Sequence, residues 1–310
     1  PATNDASPLA SQEVTISGVV TAEFWDNDDN RFMNVQDDNG PWSGIVCFNY
    51  DGWDSFDFVD DNGASVSAPA EGDSVTITAT VVEYYGLTEL IDPTEAIVHG
   101  PANNAIEPMV LTTAEMGEAY EGCLIKIEDV SVSNSDLGDG EWEITDASGT
   151  GVCDVKWPYY YFPEEGQNLS SVVGILDYNW NEFKLQPRLA RDVVEAVGDP
   201  IRIQRIQQVL YSDLIKSGID EESDKSYMSD STVTLQGVVT MPTGLSYAGT
   251  GIKFIFADPN GGPWSAILSY DPDSSAFPVL YEGDLIQATG YITEYTAGPA
   301  NMTHLLPREP

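Results

Sequence analysis

The chain has few cysteines, few histidines and few basic residues for a length of 310 residues. It contains three Cys, two His and 12 Lys and Arg. Three cysteines allow at most one disulfide bond, so the fold does not depend on a disulfide framework. The two histidines, His99 in a presumed linker and His304, adjoin no nucleophile motif, and no Cys/His spacing typical of zinc is present. These absences predict a protein that is not an enzyme.

Long apolar runs and helical patterns are also scarce. No apolar run approaches the roughly 18 residues of a membrane helix, which predicts no membrane span. Short helices are predicted at the junctions, in TTAEMGEA (112–119) and LARDVVEA (189–196). The segment IRIQRIQQVLYSDLIKSG (201–218) is ambiguous, because it alternates at first and then takes a helix-like spacing.

One long motif occurs twice. DDNGPWSGIVCFNYD (37–51) returns as DPNGGPWSAILSYD (258–271), and VTISGVVTAEF (14–24) returns as VTLQGVVTMPT (233–243). Asn, Gly and Pro in this order predict a turn between strands. A weaker third copy lies between them, with YEGCLIKIEDVSV (120–132) as its first strand. The chain therefore contains three copies of one domain.

Strict alternation predicts that each copy is built from strands. Val75, Ile77, Ala79 and Val81 alternate with three threonines, which is typical of a half-buried antiparallel strand. About five such runs in each copy must protect their edges, and a closed barrel does so by having none. The predicted fold is therefore all-β, with three tandem small antiparallel OB-like barrels and short helices at the junctions. Immunoglobulin-like sandwiches are the alternative.

Punctuated segments predict the boundaries of the domains. HGPANNAIEP (99–108) and EAVGDP (195–200) are rich in Gly, Pro and Asn, as linkers are. We expect a flexible lead at 1–12, a first domain at 13–100, a second at 108–197, and a third at 200–310 that carries an N-terminal extension.

Several strand and turn patterns resemble a known module. IRIQRIQQV followed by VTLQGVVT and a turn, together with GCLIKIEDV, WEITDASGTG and FKLQPR of the middle copy, resembles the OB-like modules of secreted bacterial nucleases and related cell-surface proteins. The resemblance covers most of residues 13–306 and includes no catalytic motif. It implies an accessory module, whose parent protein performs its chemistry or adhesion elsewhere.

The charge of the chain is strongly negative. The formal net charge is -39, and Arg31 is the only Lys or Arg between residues 12 and 100. Affinity for nucleic acid comes largely from neutralising phosphates. Nucleic acid is therefore expected to be an unlikely partner. Any such binding is expected on the third copy, which carries the basic residues Arg202, Arg205, Lys216, Lys225 and Lys253.

Acid-rich loops predict a calcium site in the first copy. Carboxylates and amides cluster in WDNDDNR, expected to be the loop between the first two strands, and acids recur in the next turn and after the third strand. The predicted ligands are Asp26, Asp28, Asp29, Asn30, Asp37 and Asp51. Hard cations prefer such oxygens, although the spacing is not that of the twelve-residue calcium loop. A solvated acidic loop is the alternative interpretation.

Aromatic residues occur at strand ends and in loops. Trp42 and Trp264 follow Gly-Pro in the repeated turn and are expected to fold back and plug their barrels, as a large apolar ring with one donor can. An exposed binding patch is expected in the second copy, where sugar rings could stack without positive charge. Its predicted residues are Trp157, Tyr159, Tyr160, Tyr161 and Trp180.

Taken together, these features predict a non-catalytic binding or structural array of a secreted or cell-surface protein. Calcium is the expected cofactor, and other copies of the chain, other surface proteins or polysaccharide are the expected partners. Strand addition between subunits would allow a fibre. The alternatives are an accessory nucleic-acid-binding region of an extracellular nuclease and a carbohydrate-binding module.

Overall fold

A computed structural model shows a chain made almost entirely of β-strands in the part that it describes. The described residues are 6–26, 29–154, 161, 163–189, 192–196, 200–209, 225–226, 228–229, 232–246, 248–273, 278–297 and 300–307. They divide into two compact units, one of residues 1–188 with 192–194 and one of residues 189–191 with 195–310.

The first barrel is formed by five of the seven strands in the first copy. The strands are β1 (Glu13–Asp26), β2 (Asp29–Gln36), β3 (Gly44–Phe48), β4 (Phe58–Val59), β5 (Ser65–Val66), β6 (Asp73–Tyr84) and β7 (Leu87–Pro101). Their order in the sheet is β3-β2-β1-β6-β7-β4-β5. A parallel pairing of β3 with β7 closes β1, β2, β3, β7 and β6 into a ring.

The second barrel repeats this closure. Its strands are β8 (Met109–Leu111), β9 (Leu124–Gly138), β10 (Glu141–Thr145), β11 (Thr150–Cys153), β12 (Asn168–Asn179), β13 (Glu182–Gln186) and β14 (Val193–Glu195). The sheet order is β14-β12-β13-β11-β10-β9-β8, and β12 also pairs with β9. The third and fifth barrel strands, β11 and β13, are again parallel.

The third barrel lies in the second unit. It comprises β15 (Thr232–Met241), β16 (Ile252–Ala257), β17 (Ala266–Asp271), β18 (Leu285–Ala297) and β19 (Ala300–Pro307), closed in the order β15-β16-β17-β19-β18. The helix α1 (Ile203–Gln207) precedes it and packs Ile203 and Ile206 into the barrel core.

Closure of each copy into a five-stranded barrel confirms the predicted fold class. In each copy the first strand pairs with the second and fourth, and the third pairs in parallel with the fifth. A sandwich of two separate sheets is therefore the wrong alternative. The alternation predicted for β6 is present, since Val75, Ile77, Ala79 and Val81 are buried and the threonines between them are only partly covered.

The helices predicted at the junctions are only partly present. The first junction holds two 3-10 turns, Thr113–Glu115 and Glu118–Tyr120. In the segment 189–196, Asp192 has a 3-10 conformation and Val193–Glu195 form β14 instead of continuing a helix. There Val193 and Glu195 are buried and Val194 is exposed, an alternation that suits a strand.

The tryptophan that fills the interior of the first barrel is not the predicted one. Trp42 and Trp264 are 70% and 45% exposed and have left-handed φ angles of 67° and 63°. The first barrel is instead filled by Trp53, which is fully buried and donates from Nε1 to the Cys47 carbonyl oxygen at 3.2 Å. Trp53 lies after the third strand, where a turn can reach the barrel interior.

The repeated turn has a different neighbour in each barrel. In the first, Trp42 N donates to the Ala119 carbonyl of the second barrel's lead segment at 2.6 Å. In the third, the turn is met by the segment around α1 of the same copy, where Gln204 Nε2 donates to the Gly261 carbonyl at 3.3 Å. In both barrels the turn therefore contacts a lead segment. The sequence of the turn does not determine whether that segment belongs to the same copy or to the next one.

The first two barrels pack closely within their unit. Gln36 Oε1 accepts a hydrogen bond from Leu124 N at 2.8 Å. A Cβ on Gly44 would collide with the backbone of Gly122, so the close approach requires glycine at position 44. The corresponding residue of the third copy is Ala266, which cannot make this approach.

Arg188 also joins these two barrels. Its Nη1 donates to the Thr21 carbonyl at 2.6 Å and to Glu71 at 2.9 Å, both in the first barrel. Its Nε and Nη2 donate to the two carboxylate oxygens of Asp192, each at 2.9 Å. The Arg188 side chain is 8% exposed, so a fork of hydrogen bonds replaces its hydration.

Candidate ligand-binding cleft

Two hairpins with the same geometry border one cleft in the first unit. In the first barrel, Tyr85 and Gly86 join β6 to β7, with φ angles of 52° and 99°. In the second, Trp180 and Asn181 join β12 to β13, with φ angles of 51° and 64°. Two successive residues with positive φ form the tight turn that suits twisted strands.

Aromatic residues at these turns are held in an uncommon conformation. Bulky side chains rarely adopt positive φ, and asparagine or glycine is the usual choice. Trp180 is 90% exposed and Tyr85 is 86% exposed, so neither is placed there by burial in a core. Strain that is retained without a packing reason suggests a functional role.

The cleft between the hairpins has a volume of about 980 Å³. Apart from the hairpins, its walls include Phe32 of β2 and Phe48 of β3, whose ring centroids lie 5.0 Å apart, and Tyr50, which packs edge-on against Phe48 at 4.8 Å. The second and third strands and the loop between the fourth and fifth strands are where OB barrels bind oligonucleotides and oligosaccharides.

Contacts between the hairpins maintain the shape of the cleft. A Cβ on Gly86 would lie 2.8 Å from Cε1 of Tyr178, so the turn of one barrel rests against the aromatic ring of the other. Tyr178 is supported by Phe183, at a centroid distance of 4.7 Å. The aromatic surface is thus formed jointly by the two barrels.

The polar groups of the cleft are mainly acceptors. Asp177 is buried, and its Oδ2 accepts from Asn179 Nδ2 at 2.7 Å and from Gln186 Nε2 at 2.8 Å. The first of these bonds determines the amide orientation, because a carboxylate can only accept. Asn179 Oδ1 is then a buried acceptor that receives no hydrogen bond from the described residues. A ligand with N–H or O–H donors would satisfy it.

The described lining of the cleft contains no Lys or Arg but includes Glu83, Glu89 and Asp177. Two of the basic residues that the sequence places on the third copy lie next to carboxylates. Arg202 Nε lies 2.9 Å from Asp258, and buried Arg205 lies 3.9 Å from Glu195. Lys216 lies outside the described residues.

Glu121 lies close to the cleft and joins the barrels. Its Oε1 accepts from Thr88 N at 3.0 Å, and its Oε2 is buried without a partner among the described residues. Burial raises the pKa of Glu121 to about 8; the bond from Thr88 opposes this, and the charges of nearby carboxylates add to it. Glu121 is therefore largely protonated in the folded protein at neutral pH.

We expect the stability of the protein to fall as pH rises from about 5 to about 8, because of Glu121. The folded state keeps a proton that an ordinary glutamate loses near pH 4.3, so unfolding releases it throughout this window. One proton changes the free energy of unfolding by at most about 1.4 kcal/mol per pH unit. The measurement is urea unfolding at several pH values, for the wild type and for Glu121→Gln.

The matched control is Glu165→Gln, at an exposed position. Glu121→Gln is expected to flatten the slope and to be more stable than the wild type at pH 8.5. Equal slopes in the wild type and in Glu121→Gln would contradict the assignment.

Of the five predicted ligand-binding residues, the structure describes Trp180 and Tyr161 and places them in different surroundings. Trp180 lies at the cleft. Tyr161 is buried and packs on Trp142 at a centroid distance of 5.4 Å, so it belongs to a core. Trp157, Tyr159 and Tyr160 lie outside the described residues. Sequence reasoning missed Tyr85, because Tyr-Gly is not among the pairs, such as Asn-Gly or Asp-Gly, that signal a two-residue hairpin.

The predicted calcium ligands lie in different elements. Asp26 and Asp29 belong to β1 and β2 and pair with each other in the ladder, so the acidic stretch is a continuation of the hairpin rather than a long loop. The side chains of Asp26, Asp28, Asp29 and Asn30 lie outside the description, and Asp37 and Asp51 are exposed in separate turns. Among the described residues, no group of three or more His, Cys, Asp or Glu could hold a metal ion. Calcium binding stays a prediction.

Two remaining features are the state of the cysteines and the lack of a membrane-spanning helix among the described residues. Cys47, Cys123 and Cys153 are all free and buried, and burial raises the pKa of the Cys47 thiol to about 12. The described part of the chain contains no helix with the length and hydropathy needed to cross a membrane.

Comparison with known proteins finds structural likeness only. No protein-family model matches the chain, and no curated protein matches it. A murine DNA-binding protein bound to double-stranded DNA is 11% identical, with 59% of this chain and 100% of that chain covered and a TM-score of 0.31. The single-stranded DNA-binding protein of Thermus aquaticus is 13% identical, with 60% and 89% covered and a TM-score of 0.21.

A replication protein A heterotrimer bound to single-stranded DNA is 10% identical, with 100% of this chain and 95% of that chain covered and a TM-score of 0.23. Such matches assign no function to this chain. They do overturn one prediction, that nucleic acid is an unlikely partner, because the matched proteins are described as DNA-binding. The resemblance to OB-like modules is supported, whereas the secreted nuclease setting stays a prediction.

Proposed function

We propose that the chain is a non-catalytic binding protein whose cleft takes unstacked bases of a single-stranded nucleic acid. The observation that carries the proposal is the pair of hairpins that present Trp180 and Tyr85 at positive φ on opposite sides of one aromatic cleft. Bases stack on aromatic side chains regardless of their sequence, because every base has a π-face.

The acidic lining is compatible with this ligand if the bases enter the cleft and the phosphates remain in solvent. Stacking needs no positive charge, and the polar groups of the cleft face base edges rather than the backbone. Asp177, Glu89 and the free oxygen of Asn179 are acceptors, which suit the exocyclic amines of cytosine and adenine. Thymine lacks such an amine, so the cleft is expected to prefer oligo(dC) or oligo(dA) to oligo(dT).

The salt dependence of binding follows from the same geometry. A single strand that releases Z counterions loses affinity with a slope of about -0.7Z in a plot of log K against log salt. A cleft whose described lining has no Lys or Arg neutralises few phosphates, so the slope is expected to lie near zero. This distinguishes stacking in the cleft from ordinary electrostatic binding.

The experiment is a titration of the full chain, followed by tryptophan fluorescence, with twelve-nucleotide oligo(dC) and oligo(dT) at two salt concentrations. Quenching by oligo(dC) with a slope near zero supports the proposal. No binding of either oligonucleotide at millimolar concentration would overturn it, and so would a steep negative slope.

A neutral oligosaccharide serves as the competing ligand in the same titration. Sugar hydroxyls also donate to carboxylates and amides, and sugar rings also stack on aromatic rings, which is the observation that favours this second candidate. Quenching by cellohexaose without quenching by either oligonucleotide would identify the cleft as a carbohydrate-binding site instead. An extracellular location, an accessory role in a nuclease and a fibre remain proposals drawn from composition and resemblance.

A further inference from the structure

A chain of hydrogen bonds on the first barrel connects a carboxylate, an imidazole and two hydroxyls. Asp61 Oδ1 lies 2.6 Å from His99 Nδ1, and His99 Nε2 lies 2.9 Å from Thr76 Oγ1. Thr76 Oγ1 lies 2.8 Å from Ser17 Oγ. These distances match an acid, a base and a hydroxyl nucleophile in hydrogen-bond reach.

Four separate elements bring these residues together. Ser17 is on β1, Thr76 on β6 and His99 on β7, while Asp61 is in the turn between β4 and β5. The expectation that His99 lies in a linker is wrong, because β7 extends to Pro101. The Asp61 turn is itself held by Asp60, whose Oδ1 accepts from Asn62 N at 2.8 Å and from Ala64 N at 2.9 Å.

The Asp61 carboxylate determines which atom donates and which accepts in each of these hydrogen bonds. An ionised Asp61 can only accept, so it selects the tautomer of His99 that carries its proton on Nδ1. Nε2 is then the acceptor, and Thr76 Oγ1 donates to it, while Ser17 donates to Thr76. Thr76 is thus the hydroxyl whose proton an imidazole base can remove, and the exposed positions of Ser17 and His99 leave it within reach of a small reagent.

The barrel does not need this arrangement to close. At the matching positions of the third barrel, Gln236 of β15 pairs with Gln287 of β18. The neighbouring hydroxyl pair, Thr15 with Thr78 at 2.9 Å, has its counterpart in Thr234 and Thr289 of the third barrel, also at 2.9 Å. That pair is part of both barrels, whereas at these described positions the hydrogen bonds through histidine are present in the first barrel and not in the third.

We propose that Thr76 is an activated nucleophile that accepts an acyl group from activated aryl esters. With p-nitrophenyl acetate, a bond forms between Thr76 Oγ1 and the acetyl carbon, and the bond from that carbon to the aryl oxygen breaks. The hydroxyl proton passes to His99 Nε2, and nitrophenolate leaves with the electron pair. The product is one acetyl ester on the protein, a modification independent of ligand binding in the cleft.

The test is peptide mapping by mass spectrometry after brief treatment of the full chain with p-nitrophenyl acetate. Thr78 is the matched control, because it lies two residues away on the same strand face and its hydroxyl contacts another threonine instead of a histidine. Acetylation of Thr76 is expected to exceed that of Thr78 about a hundredfold, the low end of what general base catalysis contributes. Acetylation of exposed Lys225 corrects for reagent dose.

Three variants test whether the labelling of Thr76 depends on Asp61 and His99 or only on how accessible Thr76 is. His99→Gln is expected to lower the labelling of Thr76 to the level of Thr78, Asp61→Asn to lower it several-fold, and Thr76→Val to remove it. Each site is on the surface, so circular dichroism is expected to be unchanged. Equal labelling of Thr76 and Thr78, preferential labelling of Ser17, or an undiminished signal in His99→Gln would each overturn the proposal.

Discussion

Replacing Trp180 by alanine is expected to weaken the binding of oligo(dC) by about tenfold to a hundredfold. Stacking of one base on an aromatic side chain contributes roughly 1–3 kcal/mol, and 1.4 kcal/mol corresponds to a factor of ten in affinity. Because Trp180 is 90% exposed, its removal leaves no cavity, and the stability of the protein is expected to change by less than about 0.5 kcal/mol. Fluorescence anisotropy of labelled oligo(dC) measures the affinity.

The matched control for Trp180 is Trp264. It is also exposed and also has a positive φ, but it belongs to the second compact unit and is not one of the residues that line the cleft. Trp264→Ala is expected to leave the affinity unchanged, while Trp180→Phe keeps part of it because a ring remains. A loss of equal size in Trp180→Ala and Trp264→Ala would show that the cleft is not the binding site.

Replacing Arg188 by methionine is expected to destabilise the first unit by about 3–5 kcal/mol. This is the usual cost of removing one partner of a buried ion pair, because the other charge remains without compensation. Asp192 is buried and accepts three hydrogen bonds from Arg188 at 2.9 Å, one from the backbone N–H and two from the side chain, and the variant removes the two from the side chain. Urea unfolding followed by tryptophan fluorescence gives the free energy of unfolding.

Two further variants define the origin of this loss. Lys126→Met breaks a more exposed pair with Glu128 and is expected to cost at most about 1 kcal/mol. Adding Asp192→Leu to Arg188→Met removes the buried carboxylate that has lost the Arg188 guanidinium, so the double variant is expected to recover at least half of the loss. If Arg188→Met and Lys126→Met cost the same, the Arg188 fork is not what holds the two barrels together.

The fold followed from local patterns. The alternation of Val75, Ile77 and Ala79 and the repeated Asn-Gly-Pro-Trp turn were sufficient to predict strands, hairpins and three barrels, because side chains alternate along any strand and turn residues act on their own backbone. The predictions that failed concerned where a side chain points after the chain has turned. Trp42 and Trp53 are both tryptophans close to β3, yet only Trp53 fills the barrel.

Only part of the candidate site could be predicted from the sequence. Trp180 was expected to be exposed because it lies at a strand end or in a loop, but its partners across the cleft come from residues about 90 to 150 positions earlier. Nothing local indicates that the loops of two barrels face each other. The same holds for His99, whose neighbours Asp61 and Thr76 are 38 and 23 residues away and meet only when β7 joins the sheet.

The amino-acid sequence alone determined the all-β class, the threefold repetition and the closure of each copy, because these depend on periodicity and on turn chemistry within a few residues. Tertiary structure alone decided how the first two barrels pack on each other, since that depends on a glycine at position 44, on the fork of Arg188 and on contacts across two copies. It also decided that an acidic chain carries an aromatic cleft whose described lining has no Lys or Arg, because the total charge of a sequence does not determine where the charged groups lie relative to a binding surface.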